Sequence, residues 1–226
     1  MKLVIFDIDG TLVDSQHLIC GAVHQAYDRH GLPKPARERV LALVGLSLPD
    51  TFTRLADGAT HPIDTLVEAY RDAFQTLRAQ PNSMEPLYPG AEQAILRLAK
   101  REDLKLGIAT GKSMRGIEVV LGHYNLLSHF TAIQCADTAP SKPDPGMVTN
   151  ALRDTGVAAE DAALVGDSIY DMQMAKAAGV RAMGVAWGYH PPRDLIAAGA
   201  DVIVEDFAAL DDALDTLWPV QVTTHA

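Results

Sequence analysis

Two aspartates separated by one residue, Asp7 and Asp9, open the segment Asp7-Ile8-Asp9-Gly10-Thr11, directly after the apolar run Leu3-Val4-Ile5-Phe6. A short β-branched run ending on Asp and Gly reads as a buried strand passing into a loop, so both carboxylates can be presented to one pocket. Two neighbouring carboxylates have two good chemical uses. They share a hard divalent cation through oxygen ligands, or they divide into a nucleophile and a proton-transferring partner whose proton affinities are driven apart. A turn carrying two solvated acids has the same local pattern. Gly10 and Thr11 favour an anion site, because glycine lets backbone N–H groups approach an anion closely.

Three more polar motifs follow apolar runs. Thr110 and Gly111 come after Leu106-Gly107-Ile108-Ala109 and before a helix expected to begin near Ser113; a hydroxyl beside free helix-start N–H groups makes a phosphate cradle, or else Thr110 is a helix cap. Lys142 lies in Ser141-Lys142-Pro143-Asp144-Pro145, where two prolines stiffen the backbone around one cation; a solvent-exposed loop lysine is the plainer reading. Asp167 and Asp171, four apart in Gly166-Asp167-Ser168-Ile169-Tyr170-Asp171, straddle a strand-to-helix turn and can face the same crevice, though Asp is also common in a first helical turn. With Asp7 they make an oxygen-rich site suited to magnesium, which takes few protein carboxylates and keeps several waters. Together the four motifs supply a nucleophile, an acid/base, a hydroxyl, a cation and a metal site.

These loops need elements to hold them. Further strands are expected at Ala132–Cys135, Ala163–Val165, Ala182–Val185 and Val202–Val204, alternating with helical spacing at Ala91–Lys100 and Asp171–Ala178. That order predicts an α/β fold, a doubly wound and mostly parallel sheet with ligands beyond the carboxyl ends of its strands. From Ser15 to Pro81 the strand pattern stops. Amphipathic stretches at Leu18–His30, Arg37–Val44, Leu48–Leu55 and Ile63–Leu77 predict an inserted helical domain, residues 15–81, within a core of residues 1–14 and 82–226. Turn formers mark its exits, Asp14-Ser15 on one side and Pro81-Asn82-Ser83, Pro86 and Pro89-Gly90 on the other. Two connections allow such a module to hinge as a lid. The tail after Trp218 reads as frayed.

The balance of 48% apolar and 21% charged residues over 226 positions is that of a packed globular protein. A net charge of −10 argues against a nucleic-acid partner. No run reaches membrane-spanning length, and Leu3–Phe6 is too short for the apolar part of a signal peptide, so a cytoplasmic location is expected. Cys20 and Cys135 are far apart with no metal-ligand spacing around them and read as structural thiols in a reducing compartment.

The motif series resembles the haloacid dehalogenase superfamily, in particular its phosphoglycolate phosphatase-like members with a helical cap after the first strand, over Lys2 to about Leu217. The resemblance implies that Asp7 attacks phosphorus to form an aspartyl-phosphate. Asp9 then protonates the leaving alcohol and deprotonates the water that hydrolyses the intermediate. Gly10, Thr11, Thr110, Gly111 and Lys142 would bind the phosphoryl group, and Mg2+ would be held by Asp7, the Asp9 backbone carbonyl and Asp167, with Asp171 in support. Neutralising charge around the phosphoryl group is the physical reason for the metal and the lysine. The partner is then a small phosphorylated metabolite, and the chain is expected to be a monomer or homodimer.

Two related activities are open to such a chain. Haloacid dehalogenases lack the second aspartate, since a halide leaving group needs neither proton nor magnesium, so Asp9 favours phosphate. β-Phosphoglucomutases carry a cap-hinge histidine that falls here at Ile19, with His17 close by. Two departures from the phosphoglycolate phosphatases stand out: Gly111 replaces a common Asn, which puts phosphoglycolate itself in doubt, and Met174 replaces a small residue. Gly45-Leu46-Ser47, joining two cap helices, is the candidate substrate loop, ahead of Arg54 and Lys34; a simple helical connection has the same pattern. Trp187-Gly188-Tyr189-His190 could border the entrance or merely pack the interface, with His190 expected at the surface. If Asp9 is the general acid, Asp9→Asn will reduce turnover of an alkyl phosphate by about 10²-fold or more, the usual worth of acid catalysis, and of p-nitrophenyl phosphate far less. Equal losses in steady-state assays on the two esters would count against that role.

Overall fold

A computed structural model describes residues 1–81 and 83–218. The expected turn residue Asn82 and the tail beyond Trp218 lie outside the described residues.

Six parallel strands form one sheet in the order β3-β2-β1-β4-β5-β6: β1 (Lys2–Phe6), β2 (Leu104–Thr110), β3 (Ala132–Cys135), β4 (Ala162–Gly166), β5 (Arg181–Val185) and β6 (Val202–Val204). Every expected strand is present, two with the expected bounds and four longer by one to three residues. The apolar runs are continuous because both faces of the sheet are covered. Along β1, Val4 and Phe6 point into one cluster with α5 (Ala91–Leu98), α6 (Met114–His123) and α10 (Leu210–Leu217). Leu3 and Ile5 point into the other, with α7 (Gly146–Thr155), α8 (Ile169–Ala178) and α9 (Pro192–Ala197). Met174 is wholly buried in that second cluster, so its size serves packing. Cys135 is buried in the first cluster, and both cysteines are free thiols.

The chain winds outward from β1 through β2 to β3, then returns to place β4 on the other side of β1. The carboxyl ends of β1 and β4 therefore flank the point where strand order reverses, where open α/β sheets leave a crevice. The register pairs Phe6 with Val165 and with Ile108, so the residues that follow β1 and β4 emerge at the same level.

Between β1 and α5 lie α1 (Gln16–Arg29), α2 (Arg37–Leu41), α3 (Leu48–Ala56) and α4 (Ile63–Arg78). They surround a third cluster in which α1 packs along α4 around Ala22, Ala26, Ala69 and Ala73, with Tyr27, Phe52 and Tyr70 filling the space beside this seam. Cys20 belongs here. The chain leaves the sheet and returns to it side by side: Asp14 N–H donates to the Pro86 carbonyl (2.8 Å) and Tyr88 N–H to that of Leu12 (3.0 Å).

One helix is shorter than its periodicity suggests. The apolar pattern predicts Arg37–Val44, yet α2 stops at Leu41. The next turn is tightened by Leu43 N–H to Val40 and Val44 N–H to Leu41 bonds, which is 3₁₀ geometry. The carbonyls of Ala42 and Leu43 accept instead from Tyr170, His190 and Thr51, so tertiary partners replace the missing helical ones. Among the described residues no helix is long and apolar enough to cross a membrane. Leu164, fully buried on β4, tests the sheet core: Leu164→Ala is expected to cost about 2–5 kcal/mol, transfer and cavity terms together, as a lower urea midpoint.

Candidate active site

Asp7 continues the ladder of β1 for one bond, its N–H donating to the Val165 carbonyl (3.0 Å), and then the chain turns. The N–H groups of Thr11, Leu12 and Val13 all converge on the Ile8 carbonyl. Gly10 makes the turn possible with φ +88°, a region costly for any side chain. It also leaves room for a neighbour, since a Cβ here would lie 2.3 Å from Asp167 Oδ2. Asp7 Oδ1 accepts from the Ile8 N–H (2.7 Å). Thr11 donates to Asp167 Oδ1 (3.0 Å) and Tyr189 N–H to Asp167 Oδ2 (2.9 Å).

Lys142 is buried rather than solvated. Its ammonium lies 2.9 Å from Asp7 Oδ2 and 2.6 Å from Asp171 Oδ1. Burial by itself would lower its pKa, but Asp171 and Asp7 outweigh burial and hold it above the ordinary lysine value. The other Asp171 oxygen accepts from the Ser168 N–H (3.0 Å) and hydroxyl (2.6 Å), closing a capping box at the start of α8. Asp171 therefore orients the lysine and starts the helix, with both of its oxygens engaged.

Asp7, Asp167 and Asp171 each offer an oxygen within 4.8 Å of the others. All three are buried, with only one cation among them. Burial raises Asp7 to about 6, Lys142 opposing and Asp171 adding to the rise. Burial followed by the charges of Asp171 and Asp7 holds Asp167 well above the carboxylate range. Asp7 Oδ2 makes no hydrogen bond, its Lys142 contact being an ion pair without hydrogen-bond geometry. Hard oxygen donors, surplus negative charge and an unpartnered buried oxygen fit a hard divalent cation.

Asp9 belongs to a different network. Its Oδ1 accepts from the Ser15 hydroxyl and from Lys112 Nζ (2.6 Å), which also lies 2.8 Å from Glu85. Glu85, fully buried, pairs in turn with Arg78. Ser15 entered the sequence reasoning above only as a turn former, and Lys112, Glu85 and Arg78 did not enter it. Lys112 stands 103 residues from Asp9 in the chain and 27 from Glu85, and no spacing rule joins them.

Thr110 is the last residue of β2 and fully buried; its hydroxyl accepts from the Lys112 N–H (3.3 Å). The helix cap nearby is Ser113, whose hydroxyl accepts from Gly116 N–H, so Thr110 is free of that duty. Gly111 meets the Gly45-Leu46-Ser47 loop directly: a Cβ at Gly111 would lie 2.8 Å from the Gly45 carbonyl oxygen and 3.1 Å from that of Leu46. Ser47 N–H donates to the Ser141 hydroxyl (2.8 Å) beside Lys142, and Ser47 caps α3. The loop thus lies over the strand ends. Between it, the helical segment and the strand ends is a cavity of about 430 Å³ reached by Asp7, Asp9, Thr110 and Lys112. Arg54 and Lys34 do not line it; they contact Tyr170 and Asp28.

The Trp187–His190 segment braces the site. Trp187 Nε1 donates to the Thr11 carbonyl (2.9 Å), and the Tyr189 hydroxyl accepts from Ser15 N–H (3.1 Å). His190 is buried, against the expectation of a surface residue. Its Nδ1 faces the Ile169 N–H and its Nε2 the Ala42 carbonyl, and burial lowers its pKa. A neutral ring that accepts at one nitrogen and donates at the other satisfies both partners.

With this geometry in place, comparisons give the class. A family model described as haloacid dehalogenase-like hydrolase matches residues 4–185. A probable phosphatase, IndB, of Dickeya dadantii is 34% identical, covering 95% of this chain and 94% of its own length. A phosphoglycolate phosphatase of Pseudomonas savastanoi pv. phaseolicola is also 34% identical, over 92% of this chain and 78% of the relative. The crystal structure of a hydrolase from Pseudomonas syringae superposes with a TM-score of 0.84 at 28% identity, covering 96% of this chain and 99% of that one. The chain belongs to the haloacid dehalogenase-like hydrolase family.

The buried carboxylates generate a sign-definite test. With its pKa raised in the fold, Asp167 holds a proton that the unfolded chain has already released, so stability from this group falls as pH rises above the unfolded carboxylate value. In chelator, the melting temperature of Asp167→Asn relative to the parent should therefore climb by a few degrees between pH 5 and pH 8. Added Mg2+ should raise the melting temperature of the parent more than that of the variant. A pH-independent difference would refute the assignment of buried charge to Asp167.

Proposed function

We propose that this chain is a magnesium-dependent phosphatase that hydrolyses a small-molecule phosphate monoester, with Asp7 as nucleophile and Asp9 as proton shuttle. The observation that carries the reading is the unpartnered, buried Asp7 oxygen, 2.9 Å from the Lys142 ammonium, on a residue that lines the cavity together with Thr110. Asp7 Oδ1 is fixed by the Ile8 N–H, so the carboxylate is held in one orientation toward phosphorus. Its attack forms the aspartyl-phosphate as the phosphorus–alcohol bond breaks, and Asp9 gives its proton to the departing oxygen. Asp9 then takes a proton from the water that attacks the aspartyl-phosphate, releasing inorganic phosphate and restoring Asp7. The hydrogen bond from Ser15 and the ion pair with Lys112 hold Asp9 in position for both transfers.

Gly10, Thr11, Thr110, Gly111 and Lys142 form the proposed phosphate cradle. Asp7, the Asp9 carbonyl and Asp167 would hold Mg2+, with Asp171 in support. When bound, the ion neutralises charge on the phosphoryl oxygens. Residues 15–81 serve as a cap on a core of residues 1–14 and 82–226, working in the cytoplasm on a small phosphorylated metabolite.

Asp9 favours phosphate over halide, because only an alkoxide leaving group requires a proton. A mutase reading would need a histidine facing the cavity from α1. Ile19 occupies that position, and His17 is exposed outside the lining. In an assay with p-nitrophenyl phosphate and Mg2+, turnover should disappear in chelator and fall by more than about 10³-fold in Asp7→Asn, as for loss of a nucleophile. Equal rates for parent and variant would exclude Asp7.

A further inference from the structure

The cavity has two chemically distinct ends. Its floor is the polar strand-end site, whereas its upper wall comes from the helical segment, where Ile19, Val23, Val40, Leu43, Phe52 and Phe74 outnumber the polar Thr51, Tyr70 and Gln75. Val23, Val40 and Phe52 are almost wholly buried. At about 430 Å³ the space is in the range of small-molecule sites, roughly 300–1,000 Å³, so it has room for an organic group beyond the phosphate.

Charge accounting decides what that group is. Two interior cations border the chamber, and both are ion-paired, with only the buried Arg78 Nε left without a hydrogen-bond partner. Lys112 lies between Asp9 and Glu85, and Arg78 pairs with the same Glu85. Two acids and two bases leave this cluster neutral, and the cations also face the Phe74 ring, Arg78 at 4.8 Å and Lys112 at 5.6 Å. The other basic lining residues, Arg71 and Arg115, are exposed at the rim, where water screens them. A carboxylate on the alcohol would enter a largely apolar chamber beside Asp9 and Glu85 with no unpaired interior cation among the described residues to meet it, at a large desolvation cost.

Resting on the phosphatase reading above, the geometry points to a phosphate monoester whose alcohol is uncharged and apolar, with aliphatic or aromatic carbon filling the chamber, and not to an acid-bearing alcohol such as glycolate. Gly111 agrees with this division. The Gly45 and Leu46 carbonyls leave no room for a Cβ, which would lie 2.8 Å and 3.1 Å from them, so no side chain projects there to recognise a second polar group close to the phosphate.

The test is a homologous series in which the leaving-group chemistry is constant: ethyl, butyl and hexyl phosphate, with phosphoglycolate and the six-carbon ω-carboxyalkyl phosphate as charged counterparts. Each buried methylene should raise kcat/KM about fourfold, so hexyl phosphate should exceed ethyl phosphate by about 10²-fold and its carboxylated counterpart by at least as much. Leu43→Lys should lower the hexyl-to-carboxyhexyl ratio at least tenfold, a ratio that partial loss of folded enzyme does not alter. A flat alkyl series, a preference for the carboxylated esters, or an unchanged ratio in Leu43→Lys would overturn the inference while p-nitrophenyl phosphate turnover left the phosphatase reading intact. Absence of turnover on every ester, p-nitrophenyl phosphate included, would overturn both.

Discussion

The ammonium of Lys142, buried between Asp7 and Asp171, is the interaction on which the rest of the site depends. Three carboxylates gathered at the ends of β1 and β4 repel one another and lose hydration. A cation in hydrogen-bonding contact with one of them and in ionic contact with a second offsets part of that cost. Asp171 anchors the lysine because the capping box holds Asp171, and the capping box exists because α8 starts immediately after β4. The remaining imbalance suits the site to a divalent cation. The proposed chemistry uses the same imbalance, since an incoming phosphoryl group needs positive charge that three acids and one lysine do not supply alone.

A second constraint links the helical segment to the strand ends. Asp9 is held by Ser15, on the outgoing connection, and through Lys112 and Glu85 by Arg78, at the end of the last helix before the chain returns. Both connections therefore meet at the residue proposed to move protons. The Gly45–Ser47 loop approaches from above, permitted by the missing side chain at Gly111. The helical segment consequently shapes the chamber and also bears on the position of Asp9, so substrate fit and proton transfer share the same structural supports.

Much of the fold was legible because its signals are local. Continuous runs such as Leu3–Phe6 mark strands buried on both faces, and their burial alternates between the two covering layers as strand geometry requires. Helix α2 was read too long because apolar spacing continues past Leu41, while the backbone there tightens into 3₁₀ bonds and the Ala42 carbonyl accepts from His190 and Tyr170. His190 was expected at the surface because a histidine after a turn-forming glycine carries no sign of burial; only the approach of Ala42 and Ile169 encloses it.

What the sequence by itself determined was which residue types stand at the strand ends: Asp7 and Asp9, Thr110, Asp167 and Asp171 each follow or adjoin an apolar run, Lys142 is marked by the prolines around it, and strand-end chemistry is readable from those neighbours. The tertiary structure alone decided their partners. Lys142 joins Asp7 and Asp171, Lys112 joins Asp9 to Glu85, and apolar side chains from four helices face the strand-end site across the cavity. The physical reason is that propensity and periodicity act over a few residues, whereas a buried charge is stabilised by whatever group the sheet order brings within about 3 Å, a hydrogen-bond distance, however far apart the two stand in the chain.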